Sequence, residues 1–198
     1  MDAEYTRLMQ TPRRARILET QSVLLSNFVA EHKLAVPQWA FYRPLEWCEQ
    51  GVCFINVEKQ VQKMSGSALV GWMFWEVENL IAYTEAHSIW VTPQGTWIDI
   101  TPHSLPPKRV MFSPDPRVAE KRGYTIPFET PLTANPKELA LHRFSRSLSE
   151  IWNRHFVGFN KEIDIPMNEV KDAAKAAGLP EDVAKHLFEK RGRWSSGL

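Results

Sequence analysis

The order of apolar and polar positions divides the chain into a strand-rich middle flanked by helices. Between residues 11 and 33, Ile17, Val23, Leu24, Phe28 and Val29 approximate one helical face. Thr11 is a suitable N-cap and Pro12 a suitable first helical residue, so a first helix is expected over this stretch. Residues 37 to 51 show no clear period and contain two prolines, and they read as an aromatic-rich loop. From Cys53 to about Met64, Phe54, Val57 and Val61 share one side and polar residues fill the rest, which predicts a helix ended by Ser65-Gly66-Ser67. Three strands should follow, from Ala68 to Val77, Ile81 to Val91 and Trp97 to Thr101. The last two are joined by Thr92-Pro93-Gln94-Gly95-Thr96, a hairpin turn in which Gly95 can take a positive φ.

Residues 102 to 136 hold eight of the 14 prolines. Proline is confined to edges and bulges of a sheet. Arg109 to Phe112 and Tyr124 to Phe128 are therefore expected as edge strands, with the remainder a loop over the core. A long helix from Pro136 to His155 carries Leu139, Leu141, Phe144, Leu148, Ile151 and Trp152 at helical spacing. Two short helices close the chain, Met167 to Ala177 and Pro180 to Arg191, with Gly178 as the C-cap between them. The pattern is α+β: a helix, an antiparallel meander and flanking helices. Residues 1–160 are expected to form the main domain and residues 161–198 a helical hairpin packed on it, with the boundary between Gly158 and Pro166.

Composition narrows the function classes. The chain has 198 residues and a net charge of +1, so it lacks the basic excess that neutralises phosphates, and nucleic acid is not an expected partner. Only the basic end Lys190-Arg191-Arg193 of the last helix departs from this. The two cysteines, Cys48 and Cys53, are too few for a disulfide scaffold, and no second Cys or His pair stands at zinc spacing. No metal and no cofactor is expected. The first ten residues are polar, unlike a signal peptide, and no apolar run reaches 18 residues. The expected location is cytoplasmic, with no membrane partner; the oligomeric state is open.

The chemistry concentrates between Cys53 and Asp99, within the span from Trp39 to Trp97 that holds six of the eight tryptophans. Cys53 falls at the start of a predicted helix. A helix N-terminus and a nearby imidazolium both favour the thiolate. His87 lies on a predicted strand. If position 92 faces 96 across the hairpin, His87 stands opposite Thr101, with Asp99 two residues along on the same face. A diagonal neighbour at roughly 7 to 8 Å is within side-chain reach. Any even register keeps His87 and Asp99 together, and an odd one separates them. Cys48 ranks second as nucleophile and His103 second as base. Gln50, Asn56, Trp72, Glu85 and Trp90 are candidate substrate contacts. Trp75 and Trp97 share the core-or-groove alternatives of Trp72 and Trp90.

Cys on a helix start, His on a strand and Asp on the next strand resemble the core of papain-like and transglutaminase-like cysteine enzymes. The resemblance covers about residues 45 to 103. It implies a thiolate at Cys53, a general base at His87 and an orienting carboxylate at Asp99. The fold it implies has the Cys helix packed on an antiparallel sheet. The activity it implies is cysteine-dependent hydrolysis or acyl transfer at an amide bond, as in a peptidase, amidase or deamidase. The substrate would be a peptide, protein or other amide. In papain-like enzymes a glutamine upstream of the cysteine helps hold the oxyanion; Gln50 is three residues upstream and Gln38 fifteen, and neither has the family spacing. The longer string, Gly71-Trp72-Met73-Phe74-Trp75-Glu76 before the histidine and Pro93-Gln94-Gly95 through Asp99-Ile100-Thr101-Pro102 after it, is also similar to a group of uncharacterised bacterial proteins. No activity carries over from those. A catalytically silent binding or scaffold protein of the same fold is the alternative.

Overall fold

The strands of the middle region close on themselves. In a computed structural model describing residues 3–10, 15–18, 23–104, 106–118, 127–155 and 165–194, six helices and seven strands are seen. The helices are α1 (Ala3–Gln10), α2 (Val23–Glu31), α3 (Cys53–Met64), α4 (Pro136–His155), α5 (Met167–Ala177) and α6 (Glu181–Trp194). The strands are β1 (Ala15–Ile17), β2 (Gln38–Tyr42), β3 (Ser67–Val77), β4 (Ile81–Val91), β5 (Trp97–Asp99), β6 (Arg109–Pro114) and β7 (Glu129–Pro131). The sheet order is β1-β3-β6-β2-β5-β4-β7, and β3 also pairs with β4. Strands β3, β6, β2, β5 and β4 therefore form a closed five-stranded barrel, with β1 and β7 appended. The class is α+β, as the pattern predicts, but the meander is part of a closed sheet.

The chain divides into two compact units. One contains residues 13–132 and the other residues 1–12 with 133–198. The expected boundary at Gly158 to Pro166 falls mostly on residues outside those described. In the second unit, Tyr5, Phe144, Leu148 and Ile151 pack with Val170, Ala174 and Val183. Gly178 ends α5 in the left-handed conformation, its φ of 75° costing a glycine little. The side chains of Lys190, Arg191 and Arg193 lie outside those described.

Within the barrel unit, three apolar layers fix the strands. Ala40, Met73, Ile89, Val110 and Phe112 come together from β2, β3, β4 and β6 and fill the interior. Leu25 and Phe28 of α2 cover Trp72, Phe74 and Met111 on the outer face. Val57 of α3 packs on Ile98 and Ile100 next to Cys48. At Gly71 the strand β3 lies close against β6: a Cβ there would run into the Ser113 carbonyl oxygen.

Three expectations are corrected. The helix expected over residues 11 to 33 is instead β1 and α2, with residues 11–14 and 19–22 outside those described. Arg16 pairs across the sheet with Glu76, a cross-strand ion pair that a helix would not make. The aromatic loop at 37 to 51 contains β2, which joins β5 in parallel and β6 antiparallel. Its one fully buried side chain is the small Ala40, while Phe41 points outward under the Arg43 guanidinium, so hydrophobicity does not mark its inner face. Arg109 to Phe112 is not an edge: β6 sits between β3 and β2 with Val110, Met111 and Phe112 wholly buried. Its prolines lie around the strand and at its last position. The other expected edge begins on residues outside those described, and the observed outer strand is β7.

Candidate active site

The hairpin register settles the relation between His87 and Asp99. Trp90 pairs with Ile98 and Val91 with Trp97, an even register that puts His87 and Asp99 on one face. Gly95 takes a φ of +82° in the turn, and the Gly95 N–H donates to the Thr92 carbonyl at 2.8 Å. The His87 Nε2 donates to Asp99 Oδ1 at 3.0 Å. The Thr101 backbone N–H donates to the same oxygen at 3.1 Å. The other oxygen, Oδ2, accepts from His103 Nε2 at 2.6 Å. Asp99 thus holds two imidazoles whose ring centroids are 5.5 Å apart. His87 and Asp99 are shut off from solvent, whereas the His103 side chain is 10% exposed.

Charge explains the protonation of the pair. Burial alone would raise the Asp99 carboxyl, but His87 and His103 outweigh it and hold the group well below the usual carboxylate range. Burial alone would likewise lower His87, but the Asp99 charge, the neighbouring Cys53 thiol and the hydrogen bond to Asp99 raise it well above its ordinary value. Cys53 opens α3 and lies beside the His87 ring. The His87 Nδ1 is buried and is satisfied by no hydrogen bond of its own among the described residues. One ring nitrogen is fixed by a carboxylate, the other is uncommitted, and a thiol adjoins the ring. Such an imidazole can take the thiol proton and return it to a leaving group. Val52, the residue before α3, offers no side-chain cap, so the first-turn N–H groups of that helix keep their capacity to bind an anion.

The loop that delivers Cys53 is tied to the strand that delivers Asp99. Asn56 Nδ2 donates to the Glu49 carbonyl at 2.7 Å and to Thr101 Oγ1 at 3.2 Å, and its Oδ1 accepts from the Glu49 N–H at 3.2 Å. Asn56 is buried at 2% exposure, which makes it a structural staple rather than a surface contact. Gln50 is exposed and donates from Nε2 to Ser104 Oγ, next to His103, at 3.1 Å. Glu85 shares the His87 face and accepts from Trp75 Nε1 at 3.0 Å. The Trp75 ring in turn meets the His103 ring edge-on at 5.9 Å.

Trp72 and Trp90 are not brought to His87. Trp72 pairs with Ala86, and Trp90 is three positions from His87, so both occupy the opposite strand face. Trp72 donates to Asp115 from within the core, and Trp90 donates to the Ser65 carbonyl beside α3. Cys48 is buried and burial pushes its thiol up, partly opposed by a hydrogen bond to Leu45 and by Lys63. His103 and Tyr42 carry more of the site than the sequence suggests: the His103 backbone N–H donates to the Tyr42 hydroxyl at 3.2 Å. The i, i+4 spacing of Asp99 and His103 was the one available signal. His87, Asp99 and His103 also present ligating atoms within 4.8 Å of one another, a spacing a cation could bridge. The hydrogen bonds among the same atoms account for the grouping without one.

No family model, no curated protein and no solved structure matches the chain.

Proposed function

We propose that the chain is a cysteine-dependent hydrolase or acyl transferase of papain-like or transglutaminase-like character, acting on an amide bond of a peptide or peptide-like substrate. One observation carries the reading: a cysteine at a helix start adjoins an imidazole whose far nitrogen is held by a buried carboxylate. The order Cys53, His87, Asp99 is that of the enzymes the sequence resembles. Cys53 Sγ gives its proton to His87 and attacks the amide carbonyl carbon. The oxyanion is met by first-turn N–H groups of α3. His87 then protonates the amine as the carbon–nitrogen bond breaks, leaving a thioester on Cys53. Water or a second nucleophile, deprotonated by His87, releases the acyl group and restores the thiol. Asp99 holds the ring and balances its charge throughout.

A second reading, a catalytically silent binding protein, is favoured by burial, since Cys53 is 7% and His87 1% exposed. Iodoacetamide labelling separates the two. The enzyme reading expects Cys53 to be alkylated well above the rate of an ordinary thiol at pH 7, with the excess lost in His87→Ala. Labelling no faster than an ordinary thiol, with every cellular phenotype kept in Cys53→Ala, would falsify it.

A further inference from the structure

A second recognition element lies where the barrel wall divides. Strand β4 occupies one edge of β3 along its whole length. On the other edge, β3 pairs with β6 at Gly71, Trp72 and Met73, then exchanges it for β1 at Trp75, Glu76 and Val77. Two strands leaving one edge must diverge. A cleft of about 380 Å³ opens at this fork, lined by Arg16 of β1, Trp39 of β2, Trp75 of β3, and Lys108 and Arg109 where β6 begins. Its size suits one or two residues of a peptide.

The lining is cationic and aromatic. Arg16 is committed to Glu76 by two hydrogen bonds, each 3.2 Å. The Arg109 guanidinium lies 3.7 Å from the centre of the Trp39 ring, a stack that fixes its plane and leaves its N–H fork free to meet an anion. Lys108 is exposed, and among the described residues no carboxylate pairs with Lys108 or Arg109. One side chain links the cleft wall to the candidate active site. Trp75 forms part of its wall, is anchored by Glu85, and touches the His103 ring that shares Asp99 with His87.

We propose that this cleft binds a carboxylate-bearing residue of an acidic peptide. Its role as a subsite for the Cys53 centre rests on the proposed function; the anion preference rests on Lys108, Arg109 and the indoles alone. The probe is triglutamate, with triglutamine as its neutral partner, titrated by calorimetry into the Cys53→Ala protein. Triglutamate should bind about tenfold more tightly or better, as two charge-assisted contacts would give. The double variant Lys108→Gln/Arg109→Gln should bring it to the triglutamine level. A control with the same charge change on exposed helices, Lys171→Gln/Lys185→Gln, should leave it unaltered. Equal affinity for the two peptides, or full triglutamate binding by the Lys108/Arg109 variant, overturns the proposal. Iodoacetamide labelling of the unmodified protein reads the other question. An inert Cys53 beside a Lys108- and Arg109-dependent triglutamate site sinks the catalytic reading and leaves the anion site standing. A reactive Cys53 with no preference for triglutamate does the reverse.

Discussion

Gly71 stands directly opposite His87 in the ladder between β3 and β4. The strand that carries His87 therefore faces a position with no side chain, held against β6 so closely that a methyl group has no room. Gly71→Ala must push β3 from β6. It is expected to cost about 1–3 kcal/mol, the usual range for overpacking, measured by urea denaturation. Cys53 labelling should slow as well, because the displaced strand is His87's neighbour.

Asp99 is tested by two substitutions that separate charge from shape. Asp99→Asn keeps the volume but no longer balances an imidazolium; it should reduce any amidase activity by about 10³- to 10⁴-fold and bring Cys53 alkylation down to the rate of an ordinary thiol. Asp99→Ala leaves two histidines and the Thr101 N–H without their acceptor, and should cost about 3–5 kcal/mol of stability. Loss of stability without loss of reactivity in the two variants would mean that Asp99 is structural only.

Stability should fall at both ends of the pH scale. His87 is raised on folding, so its contribution is complete below about pH 6.5, the ordinary imidazole value, and is lost as the pH climbs through its higher folded value. Asp99 is depressed, so its contribution is present above about pH 4 and is lost as the pH falls through its lower folded value. Removing the thiol removes one of the influences that raise His87. In Cys53→Ala the ring should titrate at lower pH, read by NMR of the imidazole protons. An unmoved titration would show that the thiol and ring do not interact.

Asn56→Ala breaks three hydrogen bonds, two to the Glu49 backbone and one to the buried Thr101 hydroxyl. The expected loss is about 1–3 kcal/mol, together with slower labelling of Cys53 as the preceding loop loosens. Trp72→Phe is the contrasting case. It should destabilise the outer core, where the indole donates to Asp115, and leave the labelling rate as it was.

The hairpin was the legible part of the site, because its geometry is local. A five-residue turn with a glycine at the right place fixes the register, and the register fixes which side chains share a face. The helix α3 was legible for the same reason, its apolar residues one turn apart and its end marked by Ser65-Gly66, both with positive φ. What joins them was not. Barrel closure depends on β2 and β6, one with its bulky aromatics turned partly outward and the other hemmed in by prolines. Asp99 accepting from His103 as well as His87 depends on how the chain turns after β5. The cleft arises from a change of strand partner at Trp75, and strand exchange leaves no periodic trace.

Cys48 gives the chemistry an internal reference. It is five residues from Cys53, as deeply buried at 7% exposure, and packed among apolar groups rather than beside an imidazole. A reagent added to one solution meets both thiols at the same concentration, in the same molecules, at the same pH. The ratio of their labelling, read from one peptide digest, cancels errors in protein concentration and reagent purity. What survives in that ratio is the effect of position alone.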